Sequence, residues 1–159
     1  MTETAMTDAP AARAPGELRL SRTFAAPREL VFEAFTKEEH LLEWWGPRDY
    51  PVAEFVSDPR QGGEFSLCMI GPNGEKARCE GEYEELTPPE RIVTISRIPY
   101  EGRIVFEMRT TVVLKEYDGY TRLTVDTEVL RNHDFPGAAG AVEGWSQQLD
   151  KLTEYLATR

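Results

Sequence analysis

The sequence predicts an α+β domain whose curved antiparallel sheet wraps a long C-terminal helix and encloses an apolar pocket. Three observations predict it. From Val52 to about residue 130, apolar residues recur at every second position, the period of half-buried strands. Short polar turns such as Asp118-Gly119 join these segments, which makes sequential neighbours antiparallel. From Gly137 to Thr158 the period becomes helical, with Ala141, Val142, Trp145, Leu149, Leu152 and Leu156 on one arc and Glu143, Gln147, Asp150 and Glu154 opposite. A sheet with one apolar face needs a cover, and this helix is the only long amphipathic element left to supply it.

The elements follow in order. Residues 1–16 are rich in Ala, Thr and Pro without any period and read as a disordered tail. Residues 17–159 are expected to form one domain around the predicted pocket. Glu17 to Ala25 alternates as a strand, with Leu18, Leu20, Arg22 and Phe24 pointing one way. Pro27 suits a first helical turn, and Leu30, Val31, Ala34 and Phe35 follow at helical spacing. A second short helix spans Lys37 to Trp44 and is stopped by Gly46-Pro47. Strands are expected over 52–58, 63–70, 75–86, 90–98, 103–117 and 120–130. In the clearest of them Ile104, Phe106, Met108, Thr110, Val112 and Leu114 form one row. Seven strands twist and bend, and glycines and bulges help the sheet curl around the last helix.

The turn at Gly71 to Glu75 sets a register that can be derived. A two-residue Asn73-Gly74 loop would pair Cys68 with Cys79, but also Leu67 with Glu80 and Phe65 with Glu82. A three-residue loop pairs Leu67 with Cys79, Met69 with Ala77 and Phe65 with Gly81. A one-residue slip would send an apolar row to the wrong face, so the second register is predicted. Cys68 and Cys79 then lie on opposite faces as two free thiols.

Composition excludes several classes. The formal charge is −10, from 18 basic and 28 acidic residues, without a Lys/Arg cluster, so nucleic acid is not the expected partner. Its bland meaning is solubility. No apolar run approaches the roughly 18 residues of a membrane span, and residues 1–16 lack the pattern of a signal peptide, so a cytoplasmic protein without membrane insertion is expected. The only histidines, His40 and His133, sit in different regions, so neither a metal site nor a Ser–His or Cys–His system is expected. Gly62-Gly63 precedes a strand and lacks the ending of a phosphate loop. No cofactor and no catalytic constellation is predicted.

The run Leu41-Leu42-Glu43-Trp44-Trp45-Gly46-Pro47, placed after the first helices, resembles the START-like (SRPBCC) superfamily. Within it, the bacterial branch of the activator of heat shock protein 90 ATPase homologue family is similar through three further stretches. These are Gln61 to Phe65, Gly81 to Arg91, and Glu143-Gly144-Trp145 leading to Leu149-Asp150-Lys151-Leu152. The resemblance covers about residues 17 to 157. It implies a helix-grip fold with a cavity between sheet and last helix, in which members bind hydrophobic or amphipathic small molecules. It also implies, as an alternative, a role in the stress response through regulation of a chaperone ATPase. The chain has room for this one domain and nothing resembling a co-chaperone's other half.

The candidate cavity residues are aromatic, apolar or amphipathic. Trp44 and Trp45 point about 100° apart on a helix, so one packs inward while the other meets the cavity or solvent. They either plug the open end of the grip or form an aromatic wall for a ligand. Trp145 and Leu149 lie on the apolar arc of the last helix. Gln148 lies at the arc's edge, where its amide either bonds to a strand or water or orients a ligand's polar head. On the sheet, Phe65, Leu67, Met69, Tyr83, Phe106 and Met108 are candidate walls, the methionines soft and adaptable. Glu80, Glu82 and Glu84 form an outward row beside Glu64, a solvated face or a docking surface for a basic partner.

Three functions remain in competition. The first is a carrier or sensor for a hydrophobic, aromatic or lipid-like small molecule. The second is a protein-interaction module such as a chaperone regulator. The third is a cyclase-, hydratase- or hydrolase-type enzyme using cavity polar groups, which a cavity group with a strongly shifted pKa would favour. Monomer and homodimer are both compatible with the sequence.

Overall fold

The computed structural model describes residues 14–159. Seven strands form one antiparallel sheet: β1 (Arg19–Phe24), β2 (Val52–Ser57), β3 (Glu64–Ile70), β4 (Lys76–Thr87), β5 (Arg91–Tyr100), β6 (Arg103–Tyr117) and β7 (Tyr120–Asn132). Between β1 and β2 lie α1 (Arg28–Thr36) and α2 (Glu38–Trp44), and α3 (Ala141–Leu156) closes the chain. The sheet order β1-β7-β6-β5-β4-β3-β2 makes β2 through β7 a meander. The first strand pairs with the last, β7, rather than with its sequence neighbour β2.

Each element has its cause in the sequence. Leu18, Leu20, Arg22 and Phe24 are all buried, as the alternation of β1 requires. The β3–β4 hairpin adopts the three-residue register, with Leu67 opposite Cys79 and Met69 opposite Ala77. Both cysteines are free thiols. The core joins the inward rows of the strands to Val31, Phe35, Leu41 and Trp44 of the short helices and to Trp145, Leu149 and Leu152 of α3.

Four details depart from simple periodicity. The pairing of β4 with β5 slips at Tyr83/Glu85, a bulge that leaves Glu84 without an opposite residue. Tyr83 therefore faces inward and Leu86 packs on the core, although an odd spacing separates them. The segment before α3 is a 3-10 turn, Pro136–Gly140, rather than the first turn of one continuous helix. Residues 1–13 lie outside the described residues, but 14–16, expected in the tail, are tied to the domain. Gly16 is buried and its carbonyl accepts the Thr127 hydroxyl at 2.7 Å, while Thr127 Oγ1 accepts the Leu18 N–H at 2.9 Å. Finally, the outward glutamates are bridged by arginines. Arg97 pairs with Glu82 and Glu107, and Arg109 with Glu84 and Glu128. Much of the expected acidic row is thereby neutralised.

Candidate functional site

Because the sheet curves, its concave face does not meet α3 along its whole length. A cavity of about 300 Å³ remains between the middle strands and the N-terminal half of the helix. The 3-10 turn with Ala138, together with Phe135 and Phe106, bounds one end of it. Phe106 and Phe135 pack with centroids 5.2 Å apart.

A chain of aromatic rings forms the long wall. Trp145 on α3 meets Trp45 edge-on at 5.5 Å, Trp45 meets Phe55 at 6.4 Å, Phe55 stacks on Phe65 at 6.1 Å, and Phe65 tilts on Tyr83 at 5.3 Å. Gly81 makes room for Phe65. A Cβ there would lie 2.7 Å from the Phe65 ring and 2.0 Å from the Ile95 carbonyl oxygen.

The turn carrying Trp45 is clamped onto α3 by successive helical residues. Gln148 Oε1 accepts the Gly46 N–H at 2.8 Å and Gln147 Oε1 accepts the Arg48 N–H at 3.0 Å. Lys151 Nζ donates to the Gly46 carbonyl at 2.9 Å, and Arg48 pairs with Glu154. Gly46 itself sits at φ +94, where a Cβ would meet the Tyr50 carbonyl oxygen at 2.3 Å, so only glycine fits. At the other side of the helix Arg22, buried on β1, donates to Asp150 at 2.8 Å.

Of the residues singled out in the sequence, Trp45, Phe65, Leu67, Met69, Tyr83, Phe106, Met108, Trp145 and Gln148 line the cavity. Trp44 and Leu149 do not. Trp44 is fully buried behind Trp45, with Nε1 donating to the Ala34 carbonyl at 2.9 Å, so it anchors α2 to α1. Leu149 is fully buried in the core, one residue past the part of the arc that faces the cavity. His40 is buried against Tyr155, and its Nδ1 shares a hydrogen bond with the tyrosine hydroxyl. It serves packing of α2 on α3.

Several lining residues escaped the sequence reading. Phe55 and Phe135 are in a short edge strand and an irregular loop, where period says little. Cys79, Thr94, Ser96 and Thr110 also line the cavity. Thr110 carried a signal, a hydroxyl set between Met108 and Val112 in an otherwise apolar row. Thr94 stands directly opposite both Tyr83 and Thr110 in the sheet.

The electrostatics are those of a neutral chamber. Among the described residues lining the cavity none is Asp, Glu, Lys, Arg or His. The two ionisable groups are a thiol and a phenol. Burial pushes the Cys79 thiol up to about 11, against the pull of the nearby Ser96 hydroxyl, and burial also raises Tyr83. Both are protonated near neutral pH.

Sequence and fold comparisons accord with this architecture. The profile of the Activator of Hsp90 ATPase homolog 1-like protein family matches residues 25–157. The chain belongs to that family. Protein CV1439 from Chromobacterium violaceum is similar at 29% identity and a TM-score of 0.77, over 89% of this chain and 96% of its own. The AHSA1 protein SPO3351 from Silicibacter pomeroyi is 27% identical with a TM-score of 0.75, over 89% of this chain and 98% of its own. Protein Ms6760 from Mycobacterium smegmatis, at 22% identity, shares the fold with a TM-score of 0.80 over 95% of this chain and 97% of its own. No curated protein matches the chain. Among the described residues no helix is long and apolar enough to cross a membrane.

Proposed function

We propose that this member of the family binds a hydrophobic or aromatic small molecule between the sheet and α3, as a carrier or sensor. The observation that supports it is the cavity of about 300 Å³, walled by aromatic and aliphatic side chains and, among the described residues, by no charged one. A volume at the small end of ligand pockets, lined by apolar groups with a few polar ones, suits a compact amphipathic molecule. The site residues are Trp45, Phe65, Leu67, Met69, Tyr83, Phe106, Met108, Trp145 and Gln148.

The enzymatic alternative draws less support. A general acid or base works best with a pKa near the operating pH, whereas Cys79 and Tyr83 are both driven away from neutrality. The chaperone-regulator alternative rests on the family's name and on the convex face, where arginines already occupy the outward glutamates.

Native mass spectrometry of the protein as purified from cells, followed by thermal-shift screening with lipids, aromatics and polyketides, tests the reading. A co-purifying small molecule, or a shift lost in the cavity-filling variant Met108→Trp, is expected. No bound mass and no shift across the library would overturn it.

A further inference from the structure

Two polar side chains that face the cavity are buried to more than nine-tenths and keep hydrogen-bonding capacity that the protein does not use. Gln148 is 6% exposed. Its Oε1 is taken by the Gly46 N–H, which fixes the orientation of the amide because that backbone group can only donate. Among the described residues no protein acceptor meets Nε2, so its N–H donors remain at the cavity end of the side chain. Thr110 is 5% exposed, and among the described residues its hydroxyl has no protein partner either. Thr94 lies opposite it on β5, and Ser96 is the next inward residue of that strand. Three hydroxyls thus stand together on the β5–β6 wall of the cavity that the Gln148 side chain also lines.

Buried donors without acceptors are costly, and folded proteins pair nearly all of them. The Gln148 nitrogen and the Thr110 hydroxyl face the cavity, so an occupant that brings an acceptor supplies their partner. A carboxylate or phosphate would bring acceptors too, but among the described residues no cation lines the cavity to offset its desolvation, and a ligand cation would find no anion there. The two ionisable lining groups hold their protons and so add no charge of either sign.

Resting on the binding role proposed above, we infer that the cavity selects an uncharged apolar ligand carrying a hydrogen-bond acceptor, such as a ketone, ester, lactone or quinone oxygen. Gln148 Nε2 and the Thr110 hydroxyl receive that oxygen, and the aromatic wall from Trp145 to Tyr83 takes the hydrocarbon. The acceptor, not the hydrocarbon alone, decides which molecules of this size are retained.

Calorimetric titration of the full chain with four probes on one ring system tests this. The probes are naphthalene, 2-acetylnaphthalene, 2-naphthoate and 2-naphthylmethylammonium. The ketone is expected to bind about fivefold to tenfold more tightly than naphthalene, the worth of one net hydrogen bond. Both ions should bind at least about 100-fold more weakly than the ketone. Thr110→Val, which keeps the shape of the wall and removes its hydroxyl, should bring the ratio of ketone to naphthalene affinity towards one. Equal binding of ketone and naphthalene, or tightest binding of either ion, would overturn the polarity inference and leave the apolar site standing. Binding of none of the four would overturn both.

Discussion

The side-chain oxygen of Gln148 accepts the backbone N–H of Gly46 at 2.8 Å, so one amide joins the last helix to the turn that aims Trp45 at the cavity. Gln148→Leu removes the acceptor of the Gly46 N–H, a buried backbone donor, and is expected to cost ~1–3 kcal/mol. Gln148→Glu keeps the acceptor and is expected to cost less. Urea unfolding of both variants checks the order, and equal stabilities would contradict the clamp.

Leu149 and Met108 separate core from cavity wall. Leu149 is fully buried in the packed cluster, so Leu149→Ala is expected to lose ~2–5 kcal/mol. Met108 already borders empty space, so Met108→Ala forfeits fewer contacts and should cost clearly less. Denaturation midpoints at unchanged m-value measure the difference, and a larger loss for Met108→Ala would contradict the assignment.

Cys79 opens into the cavity with its thiol held protonated up to about 11. At pH 8 only about a thousandth of it is thiolate, so iodoacetamide should modify a Cys68→Ala variant at this residue far more slowly than a free cysteine. The rate should climb with pH until about 11. The linkage has a definite sign. A raised acid pKa means that the native state keeps a proton the unfolded chain has released, so stability falls as pH rises from the unfolded thiol range towards 11. Rapid labelling at pH 8 would contradict this environment.

Two arginines test burial against the number of ion pairs. Arg109 touches Glu84 and Glu128 on the convex face but is a third exposed, so Arg109→Met is expected to cost less than ~1 kcal/mol. Among the described residues Arg22 pairs with one carboxylate, Asp150, and it is almost completely buried. Asp150→Asn weakens its charged hydrogen bond and should cost more, ~1.5–3 kcal/mol. The hydrogen bond from Arg109 also holds the Glu84 carboxyl below its ordinary range. A depressed carboxylate stabilises above its unfolded range and loses that contribution as pH falls through the folded value. Acid unfolding of Arg109→Met should therefore show a slightly weaker pH dependence than the parent, a difference that chemical denaturation between pH 3 and 7 resolves.

Much of this was legible before any coordinates. Alternation set the strands, and in the β3–β4 hairpin it also set the register, because slipping it would have put Glu80 and Glu82 opposite Leu67 and Phe65. The family resemblance carried the helix-grip topology. What period could not reach was local. The bulge at Tyr83/Glu85 changes which residues share a face, and it depends on pairing with β5 rather than on β4 alone. Trp44 and Trp45 are adjacent and chemically alike, and only the packing of α2 on α1 decides that Trp44 is the anchor. Leu149 shares the helical arc with Trp145, yet curvature of the sheet ends the cavity before it. Thr94 and Ser96 became neighbours of Thr110 only through the β5–β6 register.

The most direct test of the cavity as a ligand site uses its methionines. Met69 and Met108 both line the wall, on β3 and β6. With methyl-labelled methionine, titration by 2-acetylnaphthalene should displace the Met69 and Met108 methyl resonances through the ring current of the bound probe, and the displacement should vanish in Met108→Trp at the remaining Met69 signal. If both methyls stay in place while the probe binds elsewhere, or if no binding occurs at saturating probe, the cavity between sheet and α3 is not the ligand site.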